Sequence, residues 1–301
     1  MQKFPAILFV FLVLYGFANG QGCSDAGFCS IRYHQQESKN EKQSISIGNV
    51  VGKGDGNTFI NNSYVLYTRH FNKGISWDTK LTANYASGSL ANHFNAGDVF
   101  TTASFPLFTE GATKILKLSS GLKIPLTSAN DKAGVHPLPM AYQSSLGTYD
   151  LLLGLNLSLH QKWEFTQAWQ IPLTRQNKNS YFSELGVTDA FPSTNLFNRK
   201  PDALFRVAYT HRIASDKVFL KPNLLAVYHT GTDNFINNIG NKTALTGSKG
   251  LTLNANLIAG FALSSKQSIE ISLAAPLVVR TIRPDGLTRS FTAGIEYHFG
   301  W

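Results

Sequence analysis

Histidines, serines, cysteines and a scatter of acids and bases are the residues here that could do chemistry. Nucleophilic hydrolysis needs a serine within hydrogen-bond reach of a histidine that a third group orients. The nearest approach in sequence is His229-Thr230-Gly231, which has no serine beside the histidine. His70, His93, His136 and His211 also lack a nearby serine with a matching acid. Cys23, Asp25, Cys29 and His34 could ligate a metal, but their short loop lacks the paired spacing of zinc modules. No other His or Cys pair has ligand spacing, so no metal and no cofactor is expected. In an oxidising compartment the default for Cys23 and Cys29 is a disulfide. What remains is a set of charged residues at alternate positions: Lys80, Lys117, Lys123, Asp150, Arg206, Arg212, Lys221, His229, Glu270 and Arg280. Asp78, Glu164, Glu296 and His298 share their parity. Their use depends on the elements that carry them.

Those elements are strands. From Phe291 to Trp301 the chain alternates: Phe291, Ala293, Ile295, Tyr297, Phe299 and Trp301 on one face, Thr292, Glu296 and His298 on the other. About twelve such stretches are predicted, at 43–51, 62–71, 75–87, 96–107, 113–126, 147–160, 162–173, 201–213, 217–230, 249–264, 267–280 and 288–300. Short connections (Asn72-Lys73-Gly74, Thr109-Glu110-Gly111, His160-Gln161, Ala214-Ser215-Asp216 and Ser264-Ser265-Lys266) alternate with long ones at 127–146, 174–200 and 231–248. A transmembrane barrel sorts its loops in this way, with the long side outward, and a soluble sandwich has no reason to. Leu151, Leu153, Leu155, Leu157 and Leu159 oppose Asp150, Gly154, Asn156 and Ser158, as one face for lipid and one for a lumen requires. Trp77, Trp163, Tyr297 and Trp301 fall near the short turns, and Tyr85, Tyr149 and Tyr228 toward the long loops, which gives two aromatic girdles. Between Tyr64 and Phe71 the pattern does not choose a face.

The expected fold class is therefore all-β: a single-chain transmembrane antiparallel barrel of about twelve strands, spanning 43–301. Residues 1–20 read as a signal peptide, with Lys3, an apolar run over 6–17 and a small-x-small Ala18-Asn19-Gly20 site. Lipidation at Cys23 is the alternative, although Gly20-Gln21-Gly22 departs from a lipobox. Residues 21–42 form the cysteine loop and a polar tether, a short periplasmic or plug segment. No later apolar run has the length of a membrane helix. The net charge of +9 is dispersed, without a basic helix or run, so nucleic acid is not an expected partner. The expected location is the Gram-negative outer membrane, with its lipids and lipopolysaccharide as partners.

Gly121-Leu122-Lys123-Ile124-Pro125-Leu126, Leu146-Gly147-Thr148-Tyr149-Asp150 and Tyr228-His229-Thr230-Gly231-Thr232-Asp233 resemble recurring pieces of outer-membrane transporter-like barrels. These belong to the family grouped with phenol meta-degradation pathway barrels, more distantly similar to FadL-like channels. The Gly-Gln signal ending and the segment from Arg283 to Arg289 are similar to a Bacteroidetes member. The closing Phe291, Tyr297, Phe299 and Trp301 resemble the signal read by the barrel assembly machinery. The resemblance implies passive or facilitated uptake of small, in part hydrophobic, organic solutes. Inward charges would then select solutes by rings of one sign, or instead form ion pairs that fill a narrow bore. Pro106, Pro125, Pro172, Pro222 and Pro276 remove ladder donors, which fits a wall opened sideways or strands loosening beyond the membrane. A non-transporting barrel serving adhesion or envelope structure is the alternative function, and a lipid hydrolase a further one.

Overall fold

The computed structural model describes residues 41–111, 113–183, 191–213, 217–285 and 291–301. The signal peptide, Cys23 and Cys29 lie outside these described residues. Wall strands are β1 (Gln43–Lys53), β2 (Phe59–His70), β3 (Ser76–Ser87), β4 (Asn92–Glu110), β5 (Lys114–Pro125) and β6 (Asp150–Leu159). They continue with β7 (Trp163–Pro172), β8 (Asp202–Tyr209, resumed as His211–Ile213), β9 (Val218–His229), β10 (Gly250–Ala262), β11 (Gln267–Val278) and β12 (Thr292–Gly300). Every strand pairs antiparallel with its sequence neighbours, and β12 pairs back onto β1, so twelve strands close into one barrel. Closure leaves no free edge, which is what a sheet needs in hydrocarbon.

The alternation in sequence maps onto the two faces. Ile47, Leu81, Leu155, Leu224, Ile271 and Ile295 point outward and are exposed, whereas Ser46, Asn62, Lys80, Asn156, Thr166 and Thr252 point inward and are buried. Such an inversion of the soluble pattern is stable only where lipid covers the outside. Phe291, Tyr297, Phe299 and Trp301 are all exposed on the outer face, and the Phe299 and Trp301 rings stack at 5.8 Å.

Several strand boundaries differ from expectation. β4 runs for 19 residues, because Asn92, His93 and Asn95 go on pairing with the end of β3 beyond the apolar zone. It also takes in Thr109 and Glu110, so the turn falls later than predicted. β2 starts at Phe59 rather than at residue 62, and β6 at Asp150 rather than at residue 147. The ambiguous stretch of β2 is settled by space. Tyr64 turns inward and lies over Gly48, its cross-strand partner, where a Cβ would come within 2.2 Å of the ring.

The prolines sit at ladder ends and bulges. Pro106 adjoins a register shift between β4 and β5, and Leu126 N–H still donates to Gly97 O beyond Pro125. Past Pro276 the β10–β11 ladder resumes with Leu253 opposite Val278. The wall is therefore not unzipped at Pro125 or Pro276, and the sideways-opening idea falls there.

Candidate functional site

Inward side chains change character in layers along the barrel. At the external rim, Lys123 Nζ lies 3.2 Å from Asp150 Oδ2 and 3.9 Å from Asp98 Oδ2, with Thr148 Oγ1 at 3.3 Å. Asp150 also accepts from Thr148 Oγ1 (2.6 Å) and from Gln170. One step toward the short-turn end, Phe100, Leu152, Ala168, Leu204, Leu225 and Val227 form a buried apolar cluster inside the barrel. They come from β4, β6, β7, β8 and β9, so the cluster covers one side of the lumen.

A band of hydroxyls and amides follows: Thr102, Ser104, Ser119, Asn156, Thr166, Asn223 and Asn254. Ser104 and Ser119 hydroxyls are 2.7 Å apart, and Asn156 Nδ2 donates to Thr166 Oγ1 at 2.9 Å. Nearest the short turns, charge returns. Lys221 Nζ pairs with Glu164 Oε1 at 2.7 Å, and Arg206, Arg212 and Lys117 are half-buried on the same inner face. Lys80 Nζ stands 3.8 Å from the Tyr64 ring centroid, and Tyr64 OH donates to Glu296 Oε2 at 2.6 Å. Glu270 lies opposite Glu296 across the β11–β12 ladder.

Lys80, Lys123, Asp150 and His229 are buried and Lys117, Arg206, Arg212, Lys221 and Glu270 half-buried, with Arg280 just beyond the end of β11. They are not rings of one sign. Lys123, Asp150, Glu164, Lys221, His229 and Arg280 are held in ion pairs, the second of the two arrangements expected. Pairing offsets part of the large cost of burying charge and fills the bore locally.

The external mouth is crossed by packed chain. Strands β7 and β8 stand six places from β1 and β2 in the ring of twelve, hence diametrically opposite. Yet Phe191, carried between β7 and β8, lies so close to Gly56 between β1 and β2 that a Cβ there would meet its Cζ at 2.3 Å. The described arms of that connection therefore meet the β1–β2 connection across the opening. Tyr142 meets Phe191 edge-to-face at 5.8 Å and packs with Leu138, Tyr181 and Ala86. A second core joins Ala129, Met140, Leu146, Phe197 and Leu245 from three connections. Buried amides stitch the backbones together: Asn179 Nδ2 donates to Ala129 O (2.8 Å) and Leu138 O (3.1 Å), and Asn195 Nδ2 to Ile236 O (2.8 Å). Two small ribbons, Lys132–Ala133 with His136–Pro137 and Asn234–Ile236 with Lys242–Ala244, belong to this cap, with Ala133 and Phe235 packed against its cores. Sequence reading treated all of it as loop.

One arrangement missed in sequence resembles a hydrolytic triad. Ser46 Oγ is 3.1 Å from His298 Nδ1, and His298 Nε2 is 3.3 Å from Glu41 Oε2. Ser46 is 1% exposed, and it lies within β1, paired with both β2 and β12. Its neighbouring backbone groups are thus engaged in the two ladders.

No family profile and no curated protein sequence matches the chain. Solved structures do. The COG4313 outer membrane channel from Pseudomonas putida F1 superposes with a TM-score of 0.58 at 12% identity, covering 90% of this chain and 100% of that one. The NanC porin (TM-score 0.47, 7% identity, 85% and 98% covered) and the translocator domain of autotransporter NalP from Neisseria meningitidis (0.48, 10%, 88% and 90%) are also similar. At these identities the likeness is one of fold, that of outer-membrane β-barrels.

Proposed function

We propose that the protein is an outer-membrane channel for passive or facilitated uptake of small solutes, among them organic solutes with an apolar part. The observation that carries this reading is the apolar cluster of Phe100, Leu152, Ala168, Leu204, Leu225 and Val227 set between charged and amide layers of the lumen. A barrel serving only as a scaffold can fill its interior with ion pairs throughout. An apolar shelf at one level instead suits a solute that sheds water on one side while its polar groups meet Thr102, Asn156 and Asn223 below. Lys117, Arg206, Arg212 and Glu270, half-buried toward the periplasmic end, are the groups placed to meet it next. Lys80, Lys123, Asp150, Lys221, His229 and Arg280 shape the passage through their pairings. The resemblance to phenol meta-degradation pathway barrels, and distantly to FadL-like channels, supports the same solute class.

This reading includes export after cleavage of residues 1–20, a Cys23–Cys29 disulfide, and insertion by the barrel assembly machinery among lipids and lipopolysaccharide. The packed external cap favours a second reading: a non-transporting barrel that presents its loops for adhesion or envelope structure. Val135 and Ile239 on its ribbons are 81% and 74% exposed.

Liposome swelling separates the two. Vesicles carrying the protein should swell in small neutral solutes, and Phe100→Ala should slow entry of those bearing a ring relative to polyols. No swelling in any solute, with the barrel folded, sinks the channel reading.

A further inference from the structure

The external cap contains a charge cluster that closure of the wall does not require. His229, the last residue of β9, has Nδ1 2.6 Å from Asp202 Oδ1 and Nε2 2.8 Å from Asp233 Oδ1. Ionised carboxylates only accept hydrogen bonds, so both ring nitrogens carry hydrogens and the ring is an imidazolium. Arg199 pairs with Asp202, and its Nε lies 3.6 Å from Asp285 Oδ2. Arg280 Nη2 is 2.8 Å from Asp285 Oδ2, and its Nη1 donates to Ser248 O at 2.9 Å. Ser248 Oγ in turn accepts from Asp233 N–H at 2.8 Å.

Three cations (Arg199, His229, Arg280) thus face three anions (Asp202, Asp233, Asp285), all buried. Asp202 and His229 belong to the wall. Arg199, Asp233, and Arg280 with Asp285 belong to the connections after β7, β9 and β11 respectively. Further charges beside the cluster are Asp150, held by Lys123 with Asp98, the Asp55–Arg283 pair at 2.8 Å, and Lys200, whose backbone N–H donates to Asp233 Oδ1 at 2.8 Å. The cluster therefore fastens three cap connections to one point of the rim.

Of these six groups only the imidazole ordinarily changes charge near neutral pH. Burial weighs most against the charge of Arg199 and Arg280, but the carboxylates around them, led by Asp202 and Asp285 respectively, together outweigh it and push both guanidiniums up. Burial likewise opposes the charge of Asp285, yet Arg280 and Arg199 hold its carboxyl well below the usual range. Loss of one ring proton to solvent base would leave a nitrogen lone pair facing a carboxylate, and a buried cluster one negative charge out of balance.

We propose that this cluster is a pH-sensitive latch on the external cap, closed while His229 carries both ring hydrogens and released when one is lost. Rising pH then loosens the described arms at 191–201, 230–249 and 279–285. The latch regulates the passage proposed above and rests on that reading for its consequence, though not for its geometry.

Hydrogen exchange of the full chain in lipid nanodiscs at pH 6 and pH 9, normalised to wall peptides of β5 and β6, tests it. Cap peptides covering 191–201 and 230–249 should lose about ten- to a hundred-fold of their protection relative to the wall at the higher pH. His229→Gln should show the released level at both pH values, with the wall still protected. A wild-type cap that tracks the wall at both pH values overturns the latch, as does a step that survives in His229→Gln. Should that variant not assemble, the wild-type contrast decides alone. Bilayer conductance at the same two pH values isolates the passage: cap release in a silent bilayer upholds the latch and counts against the channel.

Discussion

Replacing Lys123 with methionine removes the ammonium that faces Asp150 across the β5–β6 ladder. Both side chains have no exposed surface, and Nζ to Oδ2 is 3.2 Å. Methionine keeps most of the volume, so the apolar stem goes on packing beside Phe100, its cross-strand neighbour. The loss is electrostatic: among the described residues, Asp150 retains donors from Thr148 and Gln170. Breaking a buried pair from one side costs about 3–5 kcal/mol, because the remaining charge is stranded. Adding Asp150→Asn removes that stranded charge; its amide oxygen keeps one of the two donors, and its NH2 meets the other partner, where the Thr148 hydroxyl can rotate or the Gln170 amide flip to accept. The double variant should therefore lie within about 1–2 kcal/mol of wild type, a coupling of several kcal/mol between neighbours. Reversible urea unfolding in lipid vesicles, followed by tryptophan fluorescence, measures all four corners of the cycle. If Lys123→Met alone costs less than about 1 kcal/mol, or if the two single costs simply add, the pair is not buried as described.

Further predictions concern the wall and the cap. Leu155→Arg, on the outer face at mid-strand, should cost about 2–4 kcal/mol in vesicle folding titrations, against about 0–1 for Leu159→Arg near the short-turn rim; equal costs would contradict the lipid assignment. His160 and Gln161 form a two-residue hairpin with φ of 53° and 56°, closed by Lys162 N–H to Leu159 O. Gln161→Gly should relieve the left-handed strain and stabilise by about 0.5–1 kcal/mol in urea midpoint measurements. A midpoint that falls would refute it. Because the Asp285 carboxyl is held low in the folded protein, its pairs contribute fully above the ordinary value of 3.8 and are lost as pH falls below it. Proteolysis of the cap should therefore accelerate on strong acidification in wild type and be fast already at neutral pH in Asp285→Asn.

Period-two alternation made the wall legible because each strand writes its two faces locally. Leu151 to Leu159 against Asp150 to Ser158 needs no partner to be read. The passage was legible only as a list of inward charges, since who pairs with whom is set by the register of distant strands. Lys221 and Glu164 are 57 residues apart, and Ser46 and His298 are 252 apart. β2 defeated a period reading because Tyr64, Leu66, Val65 and Tyr67 make both faces apolar, and the deciding fact, the empty space over Gly48, lies on another strand. The cap was hidden for a different reason: irregular backbone gives no period, and its cores draw single residues such as Phe191, Phe197 and Leu245 from separate connections. The segments around Asp150 and His229 that drew notice for resemblance prove to carry the two rim charge clusters.

Single-channel recording in a planar bilayer, with protein shown to be folded by its heat-modifiable mobility, tests most directly whether this interior is a passage. Small discrete conductance steps that reverse with voltage are expected from a narrow, layered bore. A silent bilayer over a folded barrel, at low and at high pH alike, would contradict it.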